Sequence, residues 1–86
     1  MAHDMSSFTL EIVASTQSEI HSIEWVEIES PTGSFLVGPD HMPLVSLIKK
    51  RSTVTYRKTN SEERSFQISG GICKVADNKA IIILEQ

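Results

Sequence analysis

A chain of 86 residues holds one hydrophobic core and no second one, and with 40% hydrophobic and 22% charged residues it is too apolar for a disordered polymer. A net charge of -3, with no basic run longer than Lys49-Lys50-Arg51, excludes a protein that neutralises the phosphates of nucleic acid. A single cysteine, Cys73, excludes an intramolecular disulfide and a cysteine-based zinc site, and the longest apolar run, residues 80–84, is far short of the ~20 residues that span a bilayer.

Residues 1–6 are expected to be a disordered tail ahead of a single domain. They show no basic stretch followed by an apolar one, so no signal peptide is read. Met1-Ala2-His3 puts an imidazole third from the amino terminus, where backbone nitrogens could complete a square plane around Cu(II). Removal of Met1 would make His3 second and break that geometry, so a frayed tail is preferred.

Phe8, Leu10 and Ile12 then alternate with Thr9 and Glu11, the period-two pattern of a strand with one wet face. After the turn residues Ser15-Thr16-Gln17-Ser18, a second strand carries Val26 and Ile28 against Trp25, Glu27 and Glu29. Trp25 on the wetter face is either an interface anchor or an indole packed at the edge of a sheet. Ser30-Pro31-Thr32-Gly33 is a turn into Gly33-Ser34-Phe35-Leu36-Val37. In Gly38-Pro39-Asp40-His41-Met42-Pro43-Leu44, two prolines stiffen a short loop that suits both a corner between sheets and a recognition surface. Pro43 and the pair Leu44-Val45 argue against a helix over residues 42–48. Lys49-Lys50-Arg51 reads as a solvated turn.

Val54 and Tyr56 alternate with Thr53, Thr55 and Arg57; beyond Asn60-Ser61-Glu62, Phe66 and Ile68 alternate with Ser65 and Gln67. Gly70-Gly71 is expected to be a tight reversal requiring positive φ or close backbone approach; it lacks the Lys-Ser/Thr and the following helix of a phosphate loop. Cys73 is expected to be a small buried hydrophobe. Residues 80–84, after the turn Asp77-Asn78, are expected to form a strand buried on both faces, the alternative being an exposed, adhesive edge. Turns this frequent between β-branched and aromatic segments imply an all-β fold: a sandwich of two antiparallel sheets with about ten short strands.

Nothing in the chain points to catalysis. No serine lies in a Gly-x-Ser-x-Gly elbow, and the histidines at 3, 21 and 41 form neither a His-x-His nor a His-x-x-x-His pair. No catalytic residue, metal ligand or cofactor is expected.

The order of features resembles the N-terminal β-sandwich domain of the epsilon subunit of rotary F-type ATP synthases. The specific parts are Pro39-Asp40-His41-Met42-Pro43-Leu44 and Ser69-Gly70-Gly71-Ile72-Cys73-Lys74-Val75, and the likeness runs over residues 8–84. It implies two five-stranded antiparallel sheets and a non-enzymatic structural role in the central rotor. The partners implied are the gamma subunit and the membrane c-ring, joined so that ion-driven rotation reaches ATP synthesis. It implies a location at the cytoplasmic face of the inner membrane, held there through the complex. Thr32, Gly33, Ser34 and Phe35 match the loop that approaches the c-ring; His41, Met42, Pro43 and Leu44 match the segment near gamma. Leu36 stands where the family usually has a second glycine, Gly38 where it has a bulkier residue, and Ser34 where an acidic one often occurs. Family members commonly continue as two helices able to inhibit ATP hydrolysis, and this sequence stops at Gln86 without them. As a complete product it would carry no such brake and no ATP site of that kind. The alternative is a free-standing β-sandwich module with another protein partner.

Overall fold

A computed structural model describes residues 8–85. The tail expected over residues 1–6, and with it His3, lies outside the described residues. Eight strands follow one another: β1 (Thr9–Val13), β2 (Ser18–Ser30), β3 (Gly33–Val37), β4 (Leu44–Ile48), β5 (Ser52–Lys58), β6 (Glu63–Ile68), β7 (Gly71–Ala76) and β8 (Lys79–Leu84). The segment over residues 42–48 that resisted a helical reading is mostly β4.

β2 explains how eight strands make two layers. At 13 residues it is long enough to belong to both. Its first part, residues 18–22, pairs with β1; its second part lies between β3 and β5. The first layer therefore runs β4-β7-β8-β1-β2 and the second β3-β2-β5-β6. The crossing is marked by a register irregularity between Ile23 and Trp25. A bulge of this kind shifts the side-chain alternation by one residue, which is why Ile23, Val26 and Ile28 all point inward and are buried.

The sandwich is as expected, with two differences in detail. There are eight strands rather than about ten, because β2 serves both layers and the second layer has four strands instead of five. One pair, β1 with β8, is parallel, Thr9 to Val13 running alongside Lys79 to Ile83, so the first layer is mixed. β8 is consequently central, between β7 and β1, and not an edge. It is buried on one face only: Ala80 and Ile82 are fully buried, whereas Ile83 is 41% exposed.

The two inner faces form one core containing Phe8, Leu10, Ile23, Val26, Ile28, Val37, Val54, Cys73, Val75 and Ile82. Cys73 has no exposed surface, and the surrounding hydrocarbon disfavours its thiolate so that its pKa is pushed up to about 11. Tyr56 and His21 close one end of the core. Their rings lie 5.2 Å apart, the tyrosine hydroxyl is 3.5 Å from His21 Nε2, and that nitrogen donates to Glu19 Oε1 at 2.9 Å.

Gly70-Gly71 does not reverse a hairpin. It carries the chain from β6 in the second layer to β7 in the first, and both glycines are needed there. Gly70 has φ of 145° and abuts the Glu85 carboxylate; a Cβ at Gly71 would collide with the backbone carbonyl of Ile83.

Candidate interaction interface

The two segments singled out in the sequence lie at opposite ends of β3. The turn containing Thr32, Gly33 and Ser34 precedes it, and the loop 38–43 follows it. Five residues of strand separate them, about 17 Å at ~3.3 Å per residue.

The β2–β3 turn is built by its own side chains. Ser30 Oγ donates to the Gly33 carbonyl at 2.7 Å and accepts from the Thr32 amide at 3.3 Å, while Gly33 supplies a φ of 146°. Thr32, Gly33 and Ser34 are exposed; Phe35 is half-buried and packs against the core, so it anchors the turn more than it presents a surface. Leu36 has no special backbone geometry and is 56% exposed. The constrained position is Gly38, where a Cβ would stand 3.1 Å from the Glu24 carbonyl. This close approach accounts for the glycine at 38.

The loop 38–43 is pinned at three points. Asp40 takes φ of 65°, and its amide donates to Asn78 Oδ1 at 2.7 Å, tying the loop to the β7–β8 turn. The His41 amide donates to the Gly38 carbonyl at 3.2 Å, and His41 Nδ1 donates to the Met42 carbonyl at 2.8 Å. That last bond turns the imidazole inward and leaves Met42 and Pro43 as the exposed tip. Leu44 packs against the core. Of the four residues expected near gamma, Met42 and Pro43 are exposed, Met42 at 76%.

The structure adds a feature that the sequence reading missed. From Met42 the chain enters β4, whose Val45 and Leu47 point away from the core and are 71% and 63% exposed. The register aligns Leu47 with Ile72 and Ile72 with Ile83, and it aligns Val45 with Lys74 and Lys74 with Ile81. The outer surface of the first layer thus carries an apolar patch of Val45, Leu47, Ile72, Ile81 and Ile83, interrupted by Lys74 and bordered by the Lys79–Glu11 pair. At its far end lies a groove of about 550 Å³ lined by Pro31, Leu47, Ile72, Ile83, Leu84 and the stems of Lys49 and Lys50. Soluble domains rarely leave such a face open unless it meets another molecule. The signal was present in the sequence as runs with no alternation, residues 44–48 and 80–84. Such runs mark strands apolar on both sides, without saying whether this chain covers both.

Among the described residues no group of three or more His, Cys, Asp or Glu side chains comes together as a metal site. Among the described residues no helix is long and apolar enough to cross a membrane.

A family model described as "ATP synthase, Delta/Epsilon chain, beta-sandwich domain" matches residues 7–86. The ATP synthase epsilon chain of Chlorobaculum tepidum is 35% identical over 88 residues, an alignment covering all of this chain and 98% of the relative. That of Chlorobium limicola is 34% identical, with 99% and 97% covered. The epsilon chain of Alkalilimnicola ehrlichii is 32% identical over 94% of this chain but only 58% of its own length. Among solved structures, a chain of the Euglena gracilis mitochondrial ATP synthase (OSCP/F1/c-ring) superposes with a TM-score of 0.87 at 15% identity, covering 99% of this chain and 54% of that one. A chain of the Tetrahymena thermophila mitochondrial ATP synthase central stalk and c-ring gives 0.78 at 11% identity, covering 98% and 67%. At such low identity these two likenesses speak for the fold alone. The full-length sequence matches go further: the chain belongs to the ATP synthase delta/epsilon family and is its β-sandwich domain.

Proposed function

We propose that the chain is a non-catalytic central-stalk subunit of a rotary F-type ATP synthase, joining the gamma subunit to the c-ring so that ion-driven rotation is transmitted to ATP synthesis. The observation that carries this reading is the family match over residues 7–86, reinforced by relatives named epsilon chain along nearly their whole length. The shape of the domain supports it. A coupling piece needs two contact regions on a body that does not deform between them, and here two stiff, hydrogen-bonded loops sit at opposite ends of a tightly packed sandwich.

In this reading Thr32, Gly33 and Ser34 approach the c-ring, with Phe35 fastening their turn to the core. His41, Met42, Pro43 and Leu44 lie against gamma, with Met42 supplying most of the contact and Leu44 holding the loop. Attachment through the complex keeps the protein at the cytoplasmic face of the inner membrane.

Co-expression with the gamma subunit of the same organism tests the proposal. A complex that survives size exclusion at micromolar concentration is expected. Separate elution of the two chains would sink the rotor assignment and favour a free-standing binding module.

A further inference from the structure

The groove at the far end of the first layer has two kinds of lining. Its apolar part is set by the strand register: Leu47 on β4, Ile72 on β7 and Ile83 on β8 stand side by side, 63%, 39% and 41% exposed. Two strand spacings of ~4.8 Å make that row about 10 Å long, and Pro31 and Leu84 add to it. Its charged part is Lys49, Lys50 and Glu85, two positive groups against one negative. The Glu85 carboxylate abuts Gly70, beside Cγ of Lys50, yet among the described residues neither lysine is in an ion pair. Elsewhere Lys79 is matched with Glu11, Arg57 with Glu24 and Arg64 with Glu62. The turn that carries the two lysines is held by its own bonds. The Lys49 amide donates to the Glu29 carbonyl at 2.7 Å, Ser52 Oγ donates to the Lys49 carbonyl at 2.6 Å, and Arg51 closes the turn at φ of 58°. The backbone under both ammonium groups is therefore fixed, and a ligand has little left to order there.

A volume of about 550 Å³ falls within the ~300–1,000 Å³ of pockets that hold one small molecule, which are mostly apolar with a few polar groups that fix orientation. The lining restricts what such a molecule can be. A wholly apolar ligand would leave the two ammonium groups unmatched as water was displaced, at a cost. A small hydrophilic anion would leave Leu47, Ile72 and Ile83 unused, and a cation would meet the positive excess. We infer that the groove binds a single-chain anionic amphiphile, of the chemical class of a long-chain fatty carboxylate, with its tail along Leu47, Ile72 and Ile83 and its head group between Lys49 and Lys50. The tail supplies apolar area, and the lysines decide which end of the molecule lies where. The site is at the other end of β4 from Met42 and adds a ligand to the protein contacts proposed above.

The experiment is a calorimetric titration of the full chain with sodium dodecanoate below its micelle-forming concentration, beside decanoate, dodecyltrimethylammonium and vesicles of phosphatidylglycerol. Dodecanoate should bind one per chain. Decanoate, two methylenes shorter, should bind about tenfold more weakly, and the cationic amphiphile with the same tail at least tenfold more weakly. These comparisons use the parent chain and need no variant. Lys49→Glu and Lys50→Glu should each weaken dodecanoate about tenfold, and Leu47→Asp should remove its binding. Lys74→Glu, the same charge change outside the groove, should leave the affinity as it is. An unchanged thermal midpoint without ligand shows that each variant is folded. Equal affinity for dodecanoate and the cationic amphiphile would show that the lysines read no charge, and unchanged affinity in Leu47→Asp would place the tail elsewhere; either result overturns the inference. Vesicles that bind through Lys49 and Lys50 while monomeric dodecanoate does not would make the turn a contact for a lipid surface and the groove no ligand site. Sedimentation of the chain as a dimer that Leu47→Asp dissociates, with no dodecanoate bound, would give the groove to a second copy and overturn the inference by another route. A chain that binds dodecanoate but not gamma keeps this site and loses only the rotor assignment.

Discussion

The two layers of the sandwich share one core and differ on their outer surfaces. Across the second layer, register neighbours are polar: Thr53 faces Gln67, joined by a 3.1 Å side-chain bond, Thr55 faces Ser65, and Glu29 faces Ser34. Across the first, Leu47, Ile72 and Ile83 stand in a row. The second layer shows that this architecture needs only one apolar side per sheet. The apolar patch outside the first layer is therefore not a requirement of folding.

That division makes a quantitative claim, since removing apolar surface should destabilise the protein inside and not outside. Ile28, fully buried on β2 and thus supporting both layers, is the sharpest internal probe. Ile28→Ala is expected to cost about 3 kcal/mol through lost transfer energy and the cavity left behind. Leu47→Thr, on the open face, should stay within about 0.5 kcal/mol. Urea denaturation of the two variants beside the parent measures both. Comparable losses would mean that the outer face is part of the folding core and would undo the contrast.

Cys73 examines the same boundary one strand at a time, lying between the outward residues Ile72 and Lys74. Its folded pKa, about 11, is raised above the ordinary 9.0 by burial. A raised folded value means that the protonated thiol contributes stability that is complete below pH 9 and is lost as pH rises through 11. Two pH units at ~1.4 kcal/mol each set the loss at about 2–3 kcal/mol. Below pH 9 the folded protein should resist thiol reagents and react fully only in denaturant. Rapid labelling under native conditions would show that the first layer opens readily and that Cys73 is not sealed within the core.

Much of this was legible in the sequence, for identifiable reasons. Alternation in residues 8–12 and 53–57 set the inward faces correctly because each has a polar partner face. Pro43 with Leu44-Val45 excluded a helix where β4 lies, and the paired glycines marked a constrained backbone but read as a reversal rather than as the crossing between layers that they form. The β1–β8 parallel pair was not legible, because nothing local distinguishes a strand's neighbour direction. Nor was the double service of β2: the bulge that carries Ile23 and Val26 to the same side interrupts the period on which the reading depends. For the interface, composition identified the stiff loop through its prolines, but the apolar face required the register, which brings together residues from β4, β7 and β8. Lys74 looked like an ordinary strand lysine until Val45 and Ile81 appeared on either side of it.

The smallest effect expected is at an exposed ion pair of the second layer, on which stability should hardly depend. Arg57 Nε lies 3.5 Å from Glu24 Oε1, without hydrogen-bond alignment and with both side chains roughly two-fifths exposed. Pairs of this kind contribute between nothing and about 1 kcal/mol, because water and salt screen them and two long side chains must be held in place. Glu24→Gln should therefore shift the urea midpoint barely at all, and any shift should vanish in high salt. A loss of several kcal/mol would instead show that the buried Arg57 Nε, which has no hydrogen-bond partner, depends on the Glu24 carboxylate for its only compensation.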